Sequence, residues 1–417
     1  MPSENKNPAS KTLVVIGGGA AGFFCAINAA ILHKGLKVIL LERTSKLLSK
    51  VSISGGGRCN LTHAIFDIQE MSRRYPRGQN FVKKTFHQFF TTDTIKWFED
   101  RGVAIKAEDD GRMFPVSDSS ASITGCLLRE ADKFGVEIKL NADVKEIRKE
   151  DRFLIRLSGN NIIHANLVCI ATGGFPKSNM FEWIKELGHS INEPLPSLFT
   201  FNLPKHPIIQ LMGISVPHVK TKIEGSKLAE EGPILITHWG LSGPAVLKLS
   251  AWGARELAAK HYSFKVHINW VPNIPENDLR SSFKQSRISH AAKKIINHNF
   301  LQLPSRLWQF FLEQSGISVE TRFSDLSSKN ENLLIRNLID YVVDVKGKTT
   351  YKEEFVTSGG VVLSEIDSNT MMSKKMDGLF FAGEVLDVDG ITGGFNFQHA
   401  WTSGFIAAKH CMDHLQG

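Results

Sequence analysis

Six residues, Gly17-Gly18-Gly19-Ala20-Ala21-Gly22, stand between an apolar run, TLVVI, and a helical stretch, FFCAINAAILHK, and a second apolar run, KVILLE, follows. This order reads as strand, turn, helix, strand. It leaves few folds open, because the glycines have distinct physical tasks in one of them. Gly17 permits the tight turn, Gly19 lets backbone approach a pyrophosphate, and Gly22 lets helix and strand pack closely. The helix N-terminus then offers unpaired N–H groups and a positive dipole end to phosphates. Glu42 ends the second strand, twenty residues after Gly22. A carboxylate there accepts from both hydroxyls of an adenosine ribose and repels a 2′-phosphate. A glycine-rich turn of some other α/β fold is the alternative reading.

Two further segments carry similar chemistry. Ser54-Gly55-Gly56-Gly57-Arg58-Cys59-Asn60 lets backbone lie against a flat or phosphate-bearing ligand, and Arg58 offers charge-assisted hydrogen bonds. The bland reading is a surface loop. Cys59 lacks the closely spaced second cysteine of a disulfide-exchanging flavoenzyme, so a small packing residue is expected there. The third segment, Gly378 to Ala408, reads as an apolar strand, GLFFAGE, then VLDVDG, then a helix opened by Gly393 and Gly394. Placed at the pyrimidine edge of a flavin, that N-terminus would favour the negative charge that builds up on reduction; an ordinary glycine-initiated C-terminal helix is the alternative reading.

Between these segments, DVKEIRK, FLIRLS and NIIHANLVCI read as an antiparallel meander running into a buried strand that ends at ATGG. Prolines from Pro194 to Pro207 suit a crossing between units. Residues from about 198 to 270 are β-rich, while SRISHAAKKIINHNF and SRLWQFFLEQSG show helical spacing, and a return to the first unit is expected near Thr350. The expected division is a dinucleotide-binding domain of 11–195 and 350–417, a β-rich inserted domain of 196–272 and 340–350, and a helical insert of 273–339. The fold class is α/β, a Rossmann-like domain built from both chain ends with that insertion.

The 417 residues can bury a sizeable core unaided. No apolar run reaches the ~18 residues of a membrane span. MPSENKNPAS reads as a frayed polar leader, so a cytoplasmic protein without membrane contact is expected. The five cysteines are dispersed, with no C-x-x-C pair, which argues against a disulfide framework and against a metal site. The 50 Lys and Arg exceed the 42 Asp and Glu by eight. This excess is spread along the chain rather than gathered in a tract, so a small-molecule substrate is expected before a nucleic acid. Oligomeric state is not legible.

IGGGAAG, SGGGRCNLTH, DGRMFPVS, ATGG, THWGLSGPA, VTSGGV, GLFFAGEVLDVDG and TGGFNFQHAWTSG together span Ile16 to Gly404. In these stretches the sequence resembles the BaiN/YhiN-like family of bacterial FAD-dependent oxidoreductases, with a glutathione-reductase-type nucleotide fold. The resemblance implies one noncovalent FAD. Gly17, Gly19, Ala21, Gly22, Glu42 and Arg43 would hold its ADP part, and Val144 would meet adenine through its backbone. Gly56, Gly57, Arg58, Cys59 and Asn60 would lie along the pyrophosphate, ribityl chain and flavin, with Ala171, Thr172 and Gly173 closing the pyrophosphate side. Gly383 and either Glu384 or Asp387 would serve the ribityl hydroxyls, and Gly393, Gly394, Phe395 and Asn396 would face the isoalloxazine. Two departures stand out: a short stretch after ATGG, FPKSNMFEWIKELGHS, and Phe395 where Tyr is commoner.

Flavin carries the electron chemistry while protein supplies orientation and electrostatics. No second G-x-G-x-x-G is present, so NAD(P)H would dock transiently rather than in its own domain. His238 is an acid/base candidate or a turn-capping residue; Arg112 is an anchor for an anionic substrate or a partner of nearby acids; Asn60 is a third candidate. The leading expectation is a reductase passing hydride from NAD(P)H to an unsaturated or carbonyl-conjugated small molecule. An oxidase of an amine-type substrate and an RNA-associated flavin-binding protein are the alternatives.

Overall fold

Four short apolar segments with almost no exposed side chain build the centre of the first unit in the computed structural model, which describes residues 11–349 and 356–413. They are β1 (Thr12–Ile16), β2 (Lys37–Leu41), β4 (Leu167–Ile170) and β5 (Leu379–Phe381), and β3 (Glu137–Lys139) completes the sheet. The order is β5-β4-β1-β2-β3, with every pairing parallel. Strands buried on both faces need helices on both sides, which is why they read as continuous apolar runs rather than alternating ones. Helix α1 (Ala20–Leu32) and helix α2 (Phe395–His410) pack against each other through small residues. A side chain at Gly404 would stand 2.6 Å from the Ala21 carbonyl, and one at Gly383 would stand 2.7 Å from the Ala21 methyl group. Phe24, Trp97, Phe98 and Trp401 fill the layer around this contact.

The chain divides into two compact units, one joining Met1–Pro196 to Lys352–Gly417 and the other Ser197–Tyr351. In the first, Val144–Lys149, Phe153–Leu157 and Ile162–Ala165 form an antiparallel meander leading into β4. The proline-bearing strand Ile191–Ser197 pairs with Val356–Val361 in a two-stranded sheet, where a missing N–H is tolerated. The polar leader and the return at Thr350 lie outside the described residues.

The second unit holds a seven-stranded antiparallel sheet, including Ser215–Ile223, Ala229–Thr237, Ser263–Asn269 and Tyr341–Lys346. Helices Glu276–Ser289, Ser305–Gln314 and Ser328–Ile339 lie in the segment read as a helical insert. Their buried residues Phe283, Trp308, Phe311 and Leu334 share one core with Phe201, Val266 and Ile268 of the sheet. One expectation fails here. SRISHAAKKIINHNF is helical only to Ser289, and a 3-10 turn at Ile295–Asn297 follows. Ile295 instead donates its N–H to the Thr321 carbonyl and is fully buried. Adjacent β-branched residues and two asparagines give this stretch little helical propensity with which to resist that pairing.

Candidate FAD site

The turn after β1 is set by backbone contact. Gly17 has φ +119°, and a Cβ there would stand 2.3 Å from the Ala171 carbonyl oxygen; a Cβ at Gly22 would stand 1.9 Å from the Gly17 oxygen. Nothing lies within 4 Å of a Cβ built at Gly19, so the helix N-terminus opens onto space. Glu42 reaches this turn from the end of β2. Its carboxylate accepts from the Gly18 N–H at 2.9 Å and from the Thr44 N–H and hydroxyl at 2.8 and 2.9 Å. A carboxylate has roughly four lone-pair sites, so acceptor capacity remains for a ligand.

A cleft of about 300 Å³ opens beside Gly17 at the carboxyl ends of the strands, where open parallel sheets bind ligands. Glu42, Arg43, Val144 and Thr172 all line it. Five positions named from the sequence, 17, 42, 43, 144 and 172, thus meet around one cavity. Phe175, Asn179, Met180 and Trp183 line it too, and sequence reasoning assigned them nothing. A helix N-terminus, a carboxylate and this cleft suit the ADP half of FAD.

Beyond Thr172 the backbone passes Glu384. The Glu384 carboxylate accepts from the Thr357 N–H at 2.9 Å and the Lys50 ammonium at 2.7 Å. It would stand 3.0 Å from a Cβ at Gly174. The buried Asp387 carboxylate accepts from the Asn192 amide at 2.6 Å.

The two chain ends close on each other at Asn60. Its amide, oriented to satisfy both ends, donates to the Thr62 carbonyl and accepts from the Gly394 N–H, each at 3.0 Å. Gly394 is the N-cap of α2 with φ +90°, and a Cβ there would stand 2.5 Å from the Thr62 oxygen. Asn396 holds Gly390 by two hydrogen bonds, 2.8 and 3.0 Å. The Phe395 ring is buried against His63, and its carbonyl accepts from the Tyr75 phenol at 2.6 Å. Burial raises the Tyr75 pKa well above the ordinary value, so the phenol keeps its donor proton. Arg77 clamps the fully buried Asp389 through two hydrogen bonds. Tyr75, Arg77, Asp389 and His63 were all missed. No local spacing links Arg77 to a residue 312 positions away, and only the acid inside DVDG offered a signal.

The glycine loop is left-handed at Gly55, Gly56 and Gly57, and Cys59 follows at φ +63°. Cys59 is wholly buried, and burial pushes its thiol up to about 12, so it stays protonated at neutral pH. Arg58 lies over the Phe114 ring and pairs with Glu108 at 2.5 Å and Asp118 at 3.5 Å. Arg112 pairs with Glu108 at 3.0 Å and Asp110 at 2.7 Å. His238 belongs to the second unit, exposed at a turn with its ring against Trp239. Among the described residues no helix is long and apolar enough to cross a membrane.

The chain matches the family model described as the HI0933-like protein Rossmann domain over residues 11–410. It is 32% identical over 408 residues to the ribosomal RNA dihydrouridine synthase of Escherichia coli K12, covering 95% of this chain and 96% of that protein. It is 29% identical over 408 residues to the 3-dehydro-bile acid delta(4,6)-reductase of Clostridium scindens, covering 95% and 97%. Among solved structures, it is similar to the open conformation of a flavocytochrome c3 fumarate reductase, with TM-score 0.51, 16% identity and coverage of 98% and 79%. A 3-ketosteroid-delta4-(5alpha)-dehydrogenase from Rhodococcus jostii RHA1 gives TM-score 0.50, 14% identity and coverage of 98% and 99%. These two show the fold alone. With the family model spanning nearly the whole chain over a dinucleotide turn, an acid-ended β2 and a closing α2, the chain belongs to the HI0933-like Rossmann family of FAD-dependent oxidoreductases and is a flavin-dependent oxidoreductase.

Proposed function

We propose that this enzyme is a reductase that holds FAD noncovalently and uses NAD(P)H to saturate a carbon–carbon double bond conjugated to a carbonyl. Glu42 would bind the adenosine ribose, the turn from Gly17 to Gly22 the pyrophosphate, and Glu384 rather than Asp387 the ribityl hydroxyls. Asn60 and Gly394 would meet the flavin ring. Bound FAD supplies two-electron chemistry as hydride transfer. In the net reaction NAD(P)H loses a hydride. The substrate gains that hydride at one alkene carbon and a proton at the other, and the saturated product and NAD(P)+ leave.

The Asn60–Gly394 clasp carries this reading, because it joins the glycine loop to the N-terminus of α2. Helix N–H groups favour negative charge, which accumulates on a flavin during reduction. The names of the curated relatives agree in chemistry. Making dihydrouridine and reducing a Δ4,6 3-keto compound both saturate an alkene conjugated to a carbonyl.

A second reading places that alkene in a uracil of RNA. The excess of eight positive charges and the 32% and 31% identity to two ribosomal RNA dihydrouridine synthases favour it. One set of experiments tests both. Purified protein should release FAD, not FMN, on denaturation, and NADH or NADPH should bleach the bound flavin under anaerobic conditions. The reduced protein is then mixed with unmodified ribosomal RNA or with a 4,6-dien-3-one steroid, and mass spectrometry seeks a product with two added hydrogens. Turnover on RNA should fall steeply with salt. Oxygen consumption with an amine and no NAD(P)H would replace the reductase with an oxidase.

A further inference from the structure

The segment after ATGG has a physical task at the cleft. Residues Ser178–Phe181 form a 3-10 turn and Glu182–Lys185 one helical turn. Phe181 and Ile184 are fully buried and anchor it, with the Phe181 ring edge-on to Phe175 at 4.8 Å. With 181 and 184 committed to the core, Met180 and Trp183, three apart, share another face of the turn. Both line the cleft of about 300 Å³.

We infer that Trp183, flanked by Met180 and Phe175, is the adenine-binding wall of this site. This rests on the FAD reading and adds what that reading lacked. Ribose and phosphates find a carboxylate and N–H groups at Glu42 and the helix turn, and the remaining part of ADP is a flat aromatic base. A base needs a π-face or apolar wall opposite it, and tryptophan provides the largest side-chain face. The same cleft is lined by Val144, buried at the start of its strand. Trp183 is half-buried, neither spent in the core nor turned to solvent.

The test uses full-length apo-protein titrated with FAD and, separately, with ADP. Base stacking on an aromatic residue predicts that Trp183→Ala weakens both ligands by roughly 5- to 100-fold, while Trp183→Phe loses less. Of the seven tryptophans, Trp183 should account for the fluorescence quenching that ADP causes, so Trp183→Phe should bind ADP without that quenching. Unchanged ADP affinity in a folded Trp183→Ala protein, or full quenching in Trp183→Phe, overturns the inference. If Trp183→Ala does not fold, the Trp183→Phe quenching decides. A wild-type chain that binds neither FAD nor ADP overturns the FAD reading itself, and the wall with it.

Discussion

Glu42 shows how one side chain can hold both a fold and a ligand. Its carboxylate fixes the dinucleotide turn through the Gly18 N–H before any ribose arrives. Charge-assisted hydrogen bonds contribute roughly 1.5–3 kcal/mol each, so Glu42→Ala should weaken FAD binding by about tenfold to a few hundredfold, at ~1.4 kcal/mol per decade. Glu42→Gln should fall between, because the amide keeps one acceptor without the charge. Flavin fluorescence during titration of apo-protein measures this, and unchanged affinity in a folded Glu42→Ala variant would mean the ribose lies elsewhere. Glu42 was legible because its strand, helix and turn are contiguous in the chain. Trp183, Tyr75 and Arg77 were not, because their roles come from partners brought in by tertiary folding. A tryptophan in FEWIKEL reads equally well as core or surface until the anchoring of Phe181 and Ile184 is known.

Among the elements, the β-α-β unit and the meander followed from hydrophobic period, since each segment is short, apolar and bounded by turn residues. The stretch after Ser289 did not, because a helical spacing of apolar residues is also satisfied by a turn that buries only Ile295. Helix α2 sits between these cases. Its start at Gly394 was visible in the sequence, whereas the role of Gly404, ten residues on, was not. The close approach of α1 and α2 depends on Gly404, where a Cβ would stand 2.6 Å from the Ala21 carbonyl and 3.2 Å from the Cys25 nitrogen. Backbone cannot yield there as a flexible side chain would. Gly404→Ala should therefore push the helices apart and destabilise the first unit by about 1–3 kcal/mol, the usual cost of overpacking, despite alanine's higher helix propensity. Urea unfolding followed by far-UV circular dichroism checks the sign; a stabilised variant would show that the contact is soft. Because the proposed FAD site draws on the N-termini of both α1 and α2, FAD affinity should fall with it.

Taken whole, the first unit closes only when the two ends of the chain meet, and one buried histidine should make that closure sensitive to acid. His399 lies inside α2, almost inaccessible, with neither ring nitrogen holding a well-formed hydrogen bond. Burial pulls it down to about 4 from an ordinary 6.5. His189 is lowered in the same direction, chiefly by burial, against the opposing pull of Glu365 at 2.9 Å. A folded pKa below the unfolded one means that the unfolded chain binds the proton more readily between those two values. The stability is therefore fully present above pH 6.5 and is lost as pH falls toward 4. For His399 alone the loss approaches about 3 kcal/mol at pH 4, at 1.36 kcal/mol per pKa unit. Denaturant midpoints measured from pH 7 to pH 4 should fall steadily in the wild-type chain, read from a probe in the first unit because two units need not unfold together. His399→Gln, which cannot take up the proton, should flatten that fall by a comparable amount while starting from a lower or equal midpoint at pH 7. FAD should protect both proteins, since a ligand that binds only the folded state adds stability by mass action. An unchanged slope in His399→Gln would place the acid sensitivity in the His189–Glu365 contact instead, and His189→Gln would then carry the flattening.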